Sequence, residues 1–451
     1  MSRANWWDEV RVSLAPALPG LRVAVYASGG APYHHAALVA QWGGVPEPLG
    51  AAAIRAGALA AFDVLVMPGG GLNAMQGLCE PLGDRGAARI RSWVEAGGMY
   101  VGSCAGACLG AQDLALLEVP LANAGDGDLG ALHSPGTGVL RARLSDPAHP
   151  LARELPATFE IVHYNGPVFL PDGARVQGVV GLDAPTARFT PWERSLPSAD
   201  GPTLVERLRT EHAQLVVSGA CGEGLVVLFG SHPEFGFSPL QLGWGEAARL
   251  FANALLWQAE RRSSGNRRAE VSPPASSTLS DTAEQFGRAA QRLRALHDAA
   301  PDLSTAPAFL GLAPTALWSA ATAEAADLAE HTAGYLRGLA SLRPETGPFA
   351  HWVDHEAAPG QDYGFVGLAQ LAAHLHALLD AATAHLGQPP PAFAHPYDGW
   401  DRSPYHLLAS SYLSAAGLVA SAALAAGTLG RLCGHGTPPP HPLTAPEGVS
   451  A

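Results

Sequence analysis

The apolar positions of this chain follow two rhythms, and the change comes near residue 280. Before it, short unbroken apolar runs such as Val23-Ala24-Val25-Tyr26, Val64-Leu65-Val66-Met67 and Leu225-Val226-Val227-Leu228-Phe229 alternate with longer stretches of helical spacing. A run without a polar face suits a strand covered on both sides, and strand–helix alternation predicts a parallel sheet between helices. The pattern places strands over 21–27, 64–67 and 99–103, and helices over 34–42 and 87–95. From 116 to 189 the apolar runs are shorter and broken by Gly and Pro, which predicts an antiparallel insertion of hairpins. Residues 215–218 and 225–229 read as a further hairpin, and 243–257 as the helix that closes this half.

After residue 280 the period becomes helical. Phe286, Leu293 and Leu296 start one such pattern, and 316–342, 366–386 and 406–432 continue it, with Pro and Gly between most of them. An antiparallel helical bundle is the expected arrangement. The boundaries follow: an extension over 1–20, an α/β domain over 21–260, a linker with four Arg, paired Pro and many Ser over 261–280, a bundle of unknown function over 281–433, and a Pro-rich tail over 434–451 expected to be disordered. Residues 407–430 carry no charge but are mostly Ala, Ser and Gly, which insert weakly into lipid, so a buried bundle helix is expected and no membrane span. The first ten residues hold two Trp and two acids ahead of any apolar run and do not read as a secretory signal.

The remaining composition narrows the function. The chain has 451 residues, too many for one core and enough for two. Its net charge of −13, with no basic stripe, argues against nucleic acid as a partner. The five cysteines, at 79, 104, 108, 221 and 433, are scattered, which fits neither a disulfide framework nor a zinc site and suits a reduced, cytoplasmic setting. Cys108 lies one helical turn after Cys104 and reads as a packed small residue.

Cys104 itself is different. The segment Gly102-Ser103-Cys104-Ala105-Gly106 follows an apolar strand and precedes a run of small residues. Strand, sharp turn and helix with a thiol at the turn make a nucleophile elbow, whose tight backbone favours glycine neighbours. The positive end of the following helix favours the thiolate, and the Ala105 amide can face a developing oxyanion. A second glycine turn, Pro68-Gly69-Gly70-Gly71, ends the 64–67 strand, and the amides near Gly69 and Gly70 can approach the same oxygen. Downstream, Ser231-His232-Pro233-Glu234 follows the 225–229 strand. His232 is the expected general base and Glu234 the carboxylate that fixes its tautomer. In a parallel sheet these strand ends share one edge, so a Cys104–His232–Glu234 triad is expected to converge there.

Taken together, residues 21–257 resemble the class I glutamine amidotransferase-like fold, a flavodoxin-like α/β sandwich. More narrowly they are similar to the biotin-protein ligase N-terminal domain family. The resemblance rests on Val23-Ala24-Val25-Tyr26, Val66-Met67-Pro68-Gly69-Gly70, the run from Gly97 to Ala107, Ser134-Pro135-Gly136, His163-Tyr164-Asn165-Gly166-Pro167 and His232-Pro233-Glu234. It implies the same triad and adds Tyr164 and Asn165 as substrate-binding candidates, although Asn-Gly also suits a turn. No synthase domain is visible, and Gly265-Asn266-Arg267-Arg268 does not supply the adenylate loop of a biotin ligase, so no ligase activity is expected.

The second half is rich in histidine. His351 and His355 have helical metal-ligand spacing, and His331, His374, His376, His385, His395 and His406 follow. Pro348 and Pro359 restrict the helix around His351, and no third ligand is fixed, so neither metal nor cofactor is expected. Two functional classes follow. One is a cysteine hydrolase or amidotransferase acting on a small carboxamide through a thioester. The other is a noncatalytic module that binds a small molecule or, through the helical half, a protein partner.

Overall fold

The computed structural model describes residues 18–69, 74–122, 136–191, 201–236, 242–243, 245–262, 277–300, 314–342, 349, 351–355, 365–386 and 414–434. Two compact units share them: the first draws on 1–238, 243–267 and 357–365, the second on 239–242, 268–356 and 366–451.

The first unit is built on one sheet of β1 (Arg22–Tyr26), β2 (Val45–Leu49), β3 (Val64–Met67), β4 (Met99–Ser103), β5 (Gly136–Leu144), β6 (Thr158–Tyr164), β7 (Val176–Pro191), β8 (Gln214–Cys221) and β9 (Gly224–Phe229). The strand order is β2-β1-β3-β4-β9-β8-β7-β5-β6. The five strands from β2 to β9 in that order run parallel, and β8, β7, β5 and β6 continue the sheet with antiparallel pairs. Around it lie α1 (Tyr33–Gln41), α2 (Ala51–Ala56), α3 (Ala74–Glu95), α4 (Ala105–Ala111), α5 (Gly201–Thr210) and α6 (Gly245–Arg261).

The unbroken apolar runs are explained by cover on both faces. Leu65, Met67, Tyr100, Val226 and Leu228 pack in one cluster with Ile54, Leu82, Ile90 and Val94. The alternate residues Val64, Val66, Val101 and Val227 are equally buried, and Trp42, capping the end of α1, meets Phe251 of α6 at 5.8 Å between ring centroids. Each such side chain contributes roughly 1.5–3 kcal/mol by leaving water.

Two features depart from the sequence pattern, and a third extends it. β2 is Val-Pro-Glu-Pro-Leu, which no propensity assigns to a strand. It pairs only at the sheet edge, and Pro46 and Pro48 alternate with Glu47 and Leu49. The Leu49 carbonyl accepts from Ala27 N on the β1 side, so the missing proline N–H groups face away from the ladder. The strands between 136 and 191 pair antiparallel as expected, and they extend the parallel sheet itself. Ahead of the expected 87–95 helix, α3 already starts at Ala74 and consists of two helical pieces that meet at a kink at Gly83 (φ 55°, ψ −178°), with Pro81 just before it.

The second unit holds α7 (Ser277–Asp298), α8 (Pro314–Ser319), a π turn at Ala320–Glu324, α9 (Ala325–Ser341), α10 (His351–Asp354), α11 (Leu368–Leu386) and α12 (Ser414–Leu432). Phe286 and Leu293 of α7, Leu336 of α9, and Leu371, Leu375 and Leu379 of α11 form its interior. The uncharged α12 buries Val419, Ala420, Ala422, Ala423 and Leu429. Among the described residues no helix is long and apolar enough to cross a membrane. The expected elements at 1–17, 263–276, 406–413 and 435–451 lie outside the described residues.

Candidate active site

β4 and β9 are neighbours and parallel, with Ser103 opposite Phe229. Their C-terminal ends therefore lie side by side, and the Cys104 amide donates to the Phe229 carbonyl at 2.8 Å. This adjacency brings together residues 104 and 232, 128 positions apart in the chain.

Cys104 caps α4 with φ 49° and ψ −112°. A non-glycine residue there carries strain on the order of 1–3 kcal/mol, the signature of a nucleophile elbow. The glycines beside it are set by contact. A β-carbon on Gly106 would fall on the Met67 carbonyl oxygen, and one on Gly102 would lie 2.5 Å from the Gly106 carbonyl oxygen. Both obstacles are backbone and cannot swing away. Gly106→Ala should therefore cost about 1–3 kcal/mol of stability, read as a lower urea midpoint, and should slow alkylation of Cys104 by displacing β3 from the elbow.

The His232 ring is held on both sides. Its Nδ1 lies 2.7 Å from Glu234 Oε1, and its Nε2 lies 3.0 Å from the Tyr164 carbonyl oxygen. The Cys104 thiol is 3.4 Å from that same carbonyl. Phe235 stacks on the imidazole at 4.4 Å and 11°. Cys104, His232 and Glu234 thus lie around the Tyr164 carbonyl and the His232 ring.

Glu234 Oε2 has partners that the sequence reading did not include. The Ser103 hydroxyl is 3.3 Å away and His35 Nε2 3.5 Å away, and these two are 3.0 Å from each other. His35 and Ser103 are fully buried and Glu234 is 1% exposed. The available sequence signal was the His34-His35 pair opening a helix at the sheet edge that carries Cys104.

Charge within the cluster follows from these contacts. Burial alone would raise the Glu234 carboxyl, but His35 and His232 beside it hold it at about 2. Burial would likewise lower His232, yet the Glu234 carboxylate and then the Cys104 thiol raise it well above the ordinary histidine range. His35 is lowered by burial, although Glu234 opposes this. The positive charge thus belongs to His232, whose two nitrogens face two acceptors and call for two protons. His35 has a partner only at Nε2, its buried Nδ1 having none among the described residues, so it is neutral near pH 7 and adds charge beside Glu234 only in the acid range where that carboxyl titrates.

The glycine turn and the Tyr-Asn-Gly segment close around the thiol. A β-carbon on Gly69 would lie 2.6 Å from Cys104 Cβ and 3.0 Å from His232 Cε1, so only glycine lets this backbone come so near. The Gly69 carbonyl accepts from Ala31 N at 2.8 Å; among the described residues the Gly69 and Ala105 amides donate to no group. Gly70 lies outside the described residues. Tyr164 reaches the site through its main-chain carbonyl, with its ring 6.3 Å from that of His232. Asn165 turns the chain at φ 56°, its amide donating to the Gly136 carbonyl at 3.2 Å. That bond links two of the motifs in the family resemblance.

Behind the site, His163 is buried with Nδ1 3.0 Å from the Ser231 hydroxyl. Burial, and after it the charge of His232, pushes it down to about 3, against a backbone bond to Gly166. A histidine neutral when folded and protonated when unfolded loses stability as pH falls below its ordinary 6.5, by about 2 kcal/mol at pH 5. The urea midpoint should drop across that interval, and His163→Gln should flatten the dependence by that amount.

The other cysteines lack such surroundings. Burial raises Cys108 to about 12 and Cys79 to about 11, which suits inert thiols. All five cysteines are free. His351 is half-buried on the four-residue α10, and His355 follows it, exposed. Among the described residues no group of three or more His, Cys, Asp or Glu could hold a metal ion.

Residues 59–120 match the family described as biotin-protein ligase, N terminal. The matched segment includes β3, Gly69, β4 and the whole elbow around Cys104, and ends before the segment that carries His232. The resemblance to that domain is thereby shown over this stretch. No curated protein matches the chain. Similar solved structures include a protein from Thermoplasma acidophilum described as a GMP synthase component; it aligns at 10% identity over 53% of this chain and 96% of its own, with a TM-score of 0.36. A cytoplasmic protein from Salmonella typhimurium aligns at 17% identity over 52% and 98%, with a TM-score of 0.35. A glutamine amidotransferase from Thermotoga maritima aligns at 12% identity over 54% and 85%, with a TM-score of 0.32.

Proposed function

We propose that this protein is a cysteine hydrolase of the glutamine amidotransferase-like kind that cleaves a small carboxamide through a thioester on Cys104. The observation that carries this reading is the convergence of the Cys104 thiol and His232 Nε2 on one carbonyl oxygen, with Glu234 on the far side of the ring.

In this reading the Cys104 proton rests on His232, the thiolate attacks the amide carbon, and the oxyanion is met by the Ala105 and Gly69 amides. The imidazolium of His232 gives its Nε2 proton to the leaving nitrogen as the C–N bond breaks, and ammonia departs. Water then attacks the thioester, His232 takes its proton, and the C–S bond breaks to release a carboxylic acid, which ionises, and to restore the thiolate beside the imidazolium. Glu234 keeps the Nδ1 proton in place throughout.

An electrophilic glutamine analogue tests the proposal. It should add one adduct to the folded full-length chain, mapped to Cys104 by peptide mass. A chain that never forms the adduct, while Cys104 reacts normally when unfolded, contradicts it.

A second reading, a noncatalytic binding module, has one observation in its favour. The Tyr164 carbonyl already takes up hydrogen-bonding positions of both thiol and imidazole. In that case a metabolite would raise the melting temperature without being consumed, and the helical unit would serve as the surface for a protein partner.

A further inference from the structure

We propose that His35 is a positioning residue of this site: with the Ser103 hydroxyl it holds Glu234 in the one orientation that serves His232. The inference rests on reading Cys104, His232 and Glu234 as a working triad.

A carboxylate that binds an imidazole through one oxygen is free to turn about its last bonds unless the other oxygen is held. Here Oε1 is on His232 Nδ1 at 2.7 Å. Oε2 meets the Ser103 hydroxyl at 3.3 Å and His35 Nε2 at 3.5 Å, with 3.0 Å between those two groups. One proton arrangement satisfies all three. The Ser103 O–H donates to Oε2, and the His35 Nε2–H donates to the Ser103 oxygen and leans on the carboxylate. This needs the neutral Nε2–H tautomer, which leaves a lone pair on the unpartnered Nδ1.

The donors sit on rigid supports. Ser103 is the last residue of β4, one position before the nucleophile. His35 is in the first turn of α1, with the edge of its ring against Phe251 of α6 at 5.3 Å. The charged groups acting on it are Glu234 and His232. Keeping a polar ring fully buried with one nitrogen unpaired is unfavourable for a core position, and an apolar side chain would pack there more cheaply. The contact with Glu234 is what that burial supports. Because Ser103 adjoins Cys104, the same hydroxyl ties the elbow to the acid end of the triad.

The test uses the full chain with imidazole-labelled histidine, followed by NMR across pH, with His232 assigned from His232→Gln. The second readout is the pH profile of Cys104 alkylation by iodoacetamide. In the wild type, His232 should keep both ring protons to a pH above the ordinary histidine range. His35→Leu should lower the pH at which the second proton is lost and slow alkylation near neutral pH by roughly tenfold. His35→Gln, which retains a donor at the Nε2 position, should recover most of the rate, and Ser103→Ala should reproduce part of the loss if His35→Leu does not fold. If His35→Leu and Ser103→Ala change the melting temperature alone and leave both profiles as in the wild type, His35 is only core and the proposal is overturned. A rise in the His232 titration point in His35→Leu overturns it equally. A wild-type His232 that titrates as an ordinary histidine instead refutes the triad reading itself, a result seen without any His35 variant.

Discussion

Cys104→Ser should leave a folded protein that neither forms the glutamine-analogue adduct nor releases ammonia from any carboxamide the wild type consumes. The expected loss is about 10⁴-fold or more, because a serine hydroxyl is far harder to ionise and the neighbours that serve sulfur do not compensate. Stability should change little. The Ser side chain has nearly the same shape, can occupy the same 7%-exposed space, and can donate to the Tyr164 carbonyl that now faces the thiol at 3.4 Å. A difference below about 1 kcal/mol in urea would be normal for such a swap. Intact-mass profiling and a melting curve on the same sample separate lost chemistry from lost folding. Equal labelling of the two proteins would move the nucleophile elsewhere.

Glu234→Gln should have the largest effect on stability. It leaves the buried imidazolium of His232 against a neutral amide and removes the acceptor shared by Ser103 and His35. Breaking one side of a buried pair costs about 3–5 kcal/mol. The dependence on pH has a definite sign. Glu234 is held at about 2, below its ordinary 4.5, so its contribution is present above 4.5 and is lost as pH falls toward 2. His232 is raised, so its contribution is complete below its ordinary 6.5 and is lost as pH climbs through the raised value. The gap between wild type and Glu234→Gln should therefore be widest between pH 4.5 and 6.5 and close on both sides. A gap that keeps growing above pH 6.5 in chemical denaturation would show that the two groups do not form the charged pair.

Much of this site is written in short stretches of sequence. The elbow is readable because its parts are local: an apolar strand, a thiol and glycines at fixed offsets. The same holds for His232 and Glu234, which need only to follow a buried strand. His35 is not readable in that way. Its meaning depends on α1 lying against the end of β4, and nothing in Tyr33-His34-His35 states which strand end the helix will meet. The Tyr164 carbonyl is harder still, since a backbone atom carries no residue identity. The Tyr-Asn-Gly motif pointed to the right turn but suggested its side chains. β2 was hidden by two prolines that only an edge position tolerates.

The amino-acid order alone determined which segments become buried strands, that a sharp strand-to-helix turn carries Cys104, and that a helical half follows, because hydrophobic period and glycine sterics act within a few residues. The packed fold alone decided that β9 lies beside β4. Pairing across that distance reflects the topology of the whole sheet, and it is what makes a thiol, two histidines, a serine and a glutamate share one hydrogen-bonded cluster.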